Sequence, residues 1–139
     1  MRRFLALMAF SLACQSATAA SVYTTLNECW VNNSPTQMNQ CVTSRATTAR
    51  ANLFAAEEAI RQAIVKARNK KDPKYLARVK KDFEASVRSY AKYRQDQCSL
   101  NLTLASEGNS ASDNQRACEA ELDVNRTEQL QALMSWLDI

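Results

Sequence analysis

Pro35 and Pro73 are the only two prolines in this 139-residue chain, and each directly follows a residue that caps helices. Ser34-Pro35-Thr36-Gln37 sets a hydroxyl at the N-cap, a proline at the first helical position and a glutamine at the third. That pattern is a capping box, placed where the proline's missing N–H would be unbonded anyway. Asp72-Pro73 repeats the device with a carboxylate as the cap. The one glycine is Gly108. With so few breaking residues, the chain is confined to long helices joined by few turns.

The spacing of apolar and small residues agrees. From Val42 they fall at 42, 46, 49, 53, 56, 60, 63 and 67, in alternating steps of four and three. This predicts a helix burying one face. Four of those positions are Ala46, Ala49, Ala56 and Ala63, which let a neighbouring helix approach closely. The run stops in Arg68–Asp72, a basic end suited to the negative pole of a helix dipole. After Pro73 a second stripe runs through Leu76, Val79, Phe83, Val87 and Tyr90, and its helix is expected to reach Leu104. A polar loop, Ser106–Asn114, surrounds the glycine. A last helix is expected from about Gln115 to Leu137, with Cys118, Leu122, Leu130, Leu133 and Leu137 on one side. Thr25-x-x-Glu28 offers a capping box for a short helix ending at Trp30. The expected fold is all-α: a small bundle of three long helices plus a short N-terminal one.

The first twenty residues stand apart. A basic start, Met1-Arg2-Arg3, precedes the apolar run Phe4–Ala13 and the small residues of Ala17-x-Ala19. This reads as a secretory signal peptide over 1–20, with the domain occupying 21–139. Leu12-Ala13-Cys14 raises a second reading, with Cys14 lipidated, but Ser11 stands where a lipoprotein signal wants an aliphatic residue. Without Arg2 and Arg3 the formal charge falls from +4 to +2. A nearly balanced domain argues against nucleic acid as a partner, and no later apolar run is long enough for a stable membrane span.

Cys29, Cys41, Cys98 and Cys118 remain, an even number in a short exported chain, which implies two disulfides. Three pairings are open to four cysteines. Local pairing fits the helix layout best: Cys98–Cys118 would staple the last two helices, and Cys29–Cys41 would tie the short helix to the first long one. The chain has no histidine, and the cysteine spacings do not suit a metal site. No cofactor or metal is expected.

Two arginines lie on these cysteine-bearing stripes. Tyr90, Arg94 and Cys98 stand at i, i+4 and i+8, and Cys118, Leu122, Arg126 and Leu130 also share one face. If Cys98 and Cys118 are bridged, Arg94 and Arg126 point toward one interior region, where a guanidinium must find partners. The expectation is structural pairing, with helix-end carbonyls and with Asp96, Glu84 or Glu121. The alternative is a pocket for an anionic ligand, which arginine also suits.

These residues carry a resemblance. Three segments, QMNQC (Gln37–Cys41), YAKYRQDQC (Tyr90–Cys98) and CEAELDVNRTEQL (Cys118–Leu130), resemble the signature of the lysozyme-inhibitor LprI-like family of small exported bacterial proteins. The family pattern has Met-Asn-x-Cys in the first segment. In the second it has Trp, then an aromatic, Arg and Asp, then Cys. In the third it has Cys followed by Leu, Arg and Leu at four-residue steps. Tyr90 stands where the family usually has Trp, and Gln95 where it often has Asp, with Asp96 beside it.

The resemblance implies an exported, periplasmic or secreted protein that binds and blocks lysozyme. Such an inhibitor would present basic or polar groups to a cleft holding catalytic carboxylates. The candidates are Lys66, Arg68, Lys70 and Lys71 in the basic turn, and Glu107 and Asn109 in the polar loop. A charge of +2 gives no global attraction to a basic lysozyme, and Glu57-Glu58 and Glu119, Glu121 and Asp123 read as solvated helix faces. The alternative is a non-inhibitory envelope interaction or assembly module, whose contacts would use Tyr23, Trp30 or Trp136. Both tryptophans are expected in core or terminal packing. An enzyme is not expected: there is no histidine base, the cysteines are oxidised, and Glu57 and Glu58 point about 100° apart on a helix.

Overall fold

In the computed structural model, which describes residues 23–105 and 110–137, the chain forms four helices. They are α1 (Tyr23–Trp30), α2 (Pro35–Lys66), α3 (Pro73–Leu104) and α4 (Ala111–Leu137), with a short 3-10 turn at Ala67–Asn69. No strand occurs among the described residues. The signal-like segment 1–20, with Cys14, lies outside them.

Both proline-marked starts form as expected. Ser34 Oγ accepts from the Gln37 N–H, and Gln37 Oε1 accepts from the Ser34 N–H at 2.9 Å. Asp72 accepts from the N–H groups of Lys74 and Tyr75. The Thr25–Glu28 box does not form, because α1 already begins at Tyr23. The Thr25 N–H instead donates to Glu121 Oε1 on α4 at 3.0 Å. Asn32 turns the chain from α1 into α2 in the left-handed region (φ 61°), which asparagine tolerates. α4 starts four residues earlier than the loop-like SASDN composition suggested. The Ser110 carbonyl accepts from the N–H groups of Asp113 and Asn114, so those polar residues make the first turn of the helix.

The disulfides are Cys29–Cys41 and Cys98–Cys118, each with Cα atoms 5.6 Å apart. The α2 stripe packs as its spacing predicts: every position from Val42 to Ala67 is buried except Ala56, which is half-buried. Ala46 and Ala49 meet Ala120 of α4, and Met38 and Val42 meet Ala117 and Cys29. The small side chains bring α2 and α4 together side by side. They run parallel: Asn39 bonds Asp113 at one end, and Ala63 and Lys66 flank Met134 and Leu137 at the other. α3 runs antiparallel to both on the outside, so of its residues only Leu76 and Cys98 are buried.

The expected face of α4 needs correction. Leu133 is exposed and Leu122 and Leu137 are half-buried. The buried set is Ala117, Cys118, Ala120, Glu121, Asp123, Thr127 and Leu130, among others. α4 is covered by α1 and α2 on one side and by α3 on the other, so its burial does not follow a single stripe.

Candidate functional site

Two kinds of feature compete for a functional role: a polar seam inside the bundle, and the two ends of the molecule.

The seam centres on Asp123, which is fully buried. The Tyr90 hydroxyl donates to its Oδ1 at 2.7 Å. Arg94 Nε lies 2.8 Å from the same oxygen, and Arg50 of α2 approaches to 3.8 Å. Arg94 also reaches Glu119 at 3.2 Å. Two helices, α2 and α3, thus send three groups to one carboxylate on α4. Burial pushes the Tyr90 phenol far above its ordinary range, and the bond to Asp123 pushes it further.

Arg126 donates to Ser86 Oγ at 2.6 Å and lies over the Tyr90 ring, 5.5 Å from its centre. Arg94 and Arg126 therefore do flank one region, on either side of Tyr90. None of the three carboxylates expected beside them is a partner. Asp96 pairs with Lys92, Glu84 with Arg61, and Glu121 bonds α1.

The acidic groups read as solvated faces also need correction. Glu57, Glu121 and Asp123 are buried. Burial raises the Glu57 carboxyl above its usual range, against the pull of Arg61 and Arg50. Burial likewise raises Glu121, against its bonds to α1. Sequence reasoning missed Asp123 and Arg50 as seam residues. One signal was present: Ala117, Ala120, Asp123, Thr127 and Leu130 follow helical spacing, and a charge within that stripe is a charge carried into the core.

The basic turn lies at one end of the bundle and the disulfides at the other. Lys66, Arg68, Lys70 and Lys71 crown the α2–α3 turn, and none pairs with a carboxylate among the described residues. Ala105 and Ser110 stand at the disulfide end, and Glu107 and Asn109 lie outside the described residues. A 32-residue helix separates the two ends by about 48 Å.

At the disulfide end, Trp30 is 66% exposed, Val31 62% and Leu104 75%. Trp30 and Trp136 were both expected in core or terminal packing, and both are exposed. Each sits on the last turn of its helix, with no further element over it among the described residues. Trp30, Pro35, Met38, Asn39, Ser110 and Asp113 wall a cleft of about 640 Å³ beside the α4 N-terminus.

A family model described as "Lysozyme inhibitor LprI" matches residues 14–130, which span all four paired cysteines and both arginines. The chain belongs to the LprI lysozyme inhibitor family. No curated protein and no solved structure matches it. The family and the two disulfides together point to a place outside the reducing cytoplasm. No helix among the described residues is long and apolar enough to cross a membrane.

Proposed function

We propose that this protein is exported to the periplasm or beyond and inhibits lysozyme by binding it, without catalysis of its own. The observation that carries the reading is the LprI family match across the four-cysteine frame. We assign the contact to the disulfide end. Tryptophan is enriched among the residues that anchor protein interfaces. Trp30 stands beside Val31 and the cleft, on backbone fixed by Cys29–Cys41.

The test is a cell-wall turbidity assay with lysozymes of several types, using oxidised protein beside a reduced and alkylated control. Dose-dependent protection that is lost on reduction supports inhibition. Loss of protection in Trp30→Ala, with the helical spectrum intact, places the contact at this end. Absence of protection against every lysozyme would reject inhibition and favour the alternative, a non-inhibitory envelope interaction module. Protection unaffected by Trp30→Ala but lost in Lys70→Glu/Lys71→Glu would move the contact to the basic turn.

A further inference from the structure

The near-neutral total conceals a separation of charge. Between Lys66 and Lys81 the chain carries eight Lys or Arg and one acid, Asp72. The remainder from residue 21 onward carries eight bases against thirteen acids. The fold gathers the first group at one end, because α2 finishes there and α3 begins there. Lys71 is half-exposed and the other seven cations are exposed. None of the eight is in an ion pair among the described residues, whereas Arg45, Arg50, Arg61, Arg94 and Arg116 all are. Asp72 is engaged in capping α3.

The same end exposes apolar surface. Trp136 on the last turn of α4 is 73% exposed, Val65 on the last turn of α2 50%, and Tyr75 on the first turn of α3 42%. The α4 terminus belongs to this end, since Met134 and Leu137 stand beside Lys66 and Lys70. A purely polyanionic partner needs only the cations. Cations together with exposed tryptophan and tyrosine suit a boundary that is anionic outside and apolar just beneath, where aromatic rings settle at headgroup level. Long lysine and arginine stems lie along such a boundary with their charges outward.

We propose that the basic end of the bundle docks peripherally on the surface of an anionic phospholipid bilayer, with Lys66–Lys81 against the headgroups and Trp136 and Tyr75 at the interface. The disulfide end and its exposed Trp30 then face away from the membrane. The inference stands on charge and exposure alone and does not require that lysozyme be the partner.

The test uses the full exported chain with Cys14→Ser, so that no acyl group contributes, and Trp30→Phe, so that emission reports Trp136. It is mixed with vesicles of phosphatidylglycerol and phosphatidylethanolamine, and with vesicles of phosphatidylcholine alone. The expected result is co-sedimentation with the anionic vesicles only, weakening as salt rises, with a blue shift of Trp136 emission. Lys70→Gln/Lys71→Gln/Lys74→Gln should weaken binding about 100-fold at low salt, from the usual contribution of each cation near an anionic surface. These side chains are at the surface, so the helical spectrum should not change. No binding to anionic vesicles, equal binding to neutral ones, or indifference to the triple substitution would overturn the proposal. So would salt-sensitive binding without a Trp136 shift, which would indicate a soluble polyanion as the natural ligand.

Discussion

Arg94 and Asp123 face each other across the α3–α4 pair, Nε to Oδ1 at 2.8 Å, with the arginine one turn from Cys98 and the carboxylate fully buried. The covalent staple and the ion pair set the same antiparallel register. Removing the carboxylate would leave Arg94 with Glu119 as its one remaining carboxylate partner and Tyr90 without its acceptor. Asp123→Ala should cost about 3 kcal/mol, the usual penalty for breaking a buried pair, which corresponds to a fall in Tm of roughly 10 °C. Arg94→Leu should also lower the melt. Combined, they should cost less than the sum of the two, since neither then leaves a lone buried charge. Thermal unfolding followed by circular dichroism checks this, and additive losses would count against a coupled pair.

Glu57 gives a pH dependence whose sign can be worked out. Burial raises its folded-state carboxyl pKa, so the folded chain holds that proton more tightly than the unfolded chain does. Its contribution is fully present below the unfolded value of about 4.3 and is lost as pH rises through the folded value. Glu57→Gln should therefore gain stability relative to the parent between acidic and neutral pH. Glu84 has the opposite sign, because its hydrogen bond from Arg61 lowers its carboxyl. The stability it supplies is present above about pH 4.3 and is lost as pH falls through the lowered value. Chemical denaturation at several pH values, comparing Glu57→Gln and Glu84→Gln with the parent, should give slopes of opposite sign.

Glu121 caps a helix remote in sequence. Its Oε1 accepts the Thr25 N–H across 96 residues, so α4 satisfies a donor that α1 leaves free. Glu121→Ala should cost about 1 kcal/mol, as the loss of an N-cap does, and should speed hydrogen exchange of the Thr25 amide. Glu121→Gln keeps an acceptor oxygen without burying a charge, so the amide should stay protected. Exchange that is unchanged in the alanine variant would show that this bond contributes little.

The disulfides close loops of different length, with sequence separations of 12 and 20 residues. Each should contribute about 3 kcal/mol by loop entropy, slightly more for the longer. Cys98→Ala/Cys118→Ala should lower Tm more than Cys29→Ala/Cys41→Ala, because it also loosens the register that holds Arg94 on Asp123. The reverse order in calorimetry would mean that α1 is the more critical attachment.

The sequence by itself determined the helices that carry one apolar stripe and a local cap. Ser34 and Asp72 each satisfy N–H groups two or three residues away, so their helix starts are written in neighbouring residues. The stripe from Val42 to Ala67 packs mainly on α4, and period and burial coincide. The disulfide pairs were legible for a related reason, because each joins helices adjacent along the chain. Tertiary structure alone decided the rest. α4 is covered on two sides, so its burial follows no single period, and Asp123 read as solvent-facing when groups from α2 and α3 close over it. The Thr25–Glu121 bond and the charge separation between the two ends both depend on which helices lie side by side and in which direction they run. A helical stripe specifies that a face must be covered, but not by which helix, and the partners of a buried charge follow from that choice.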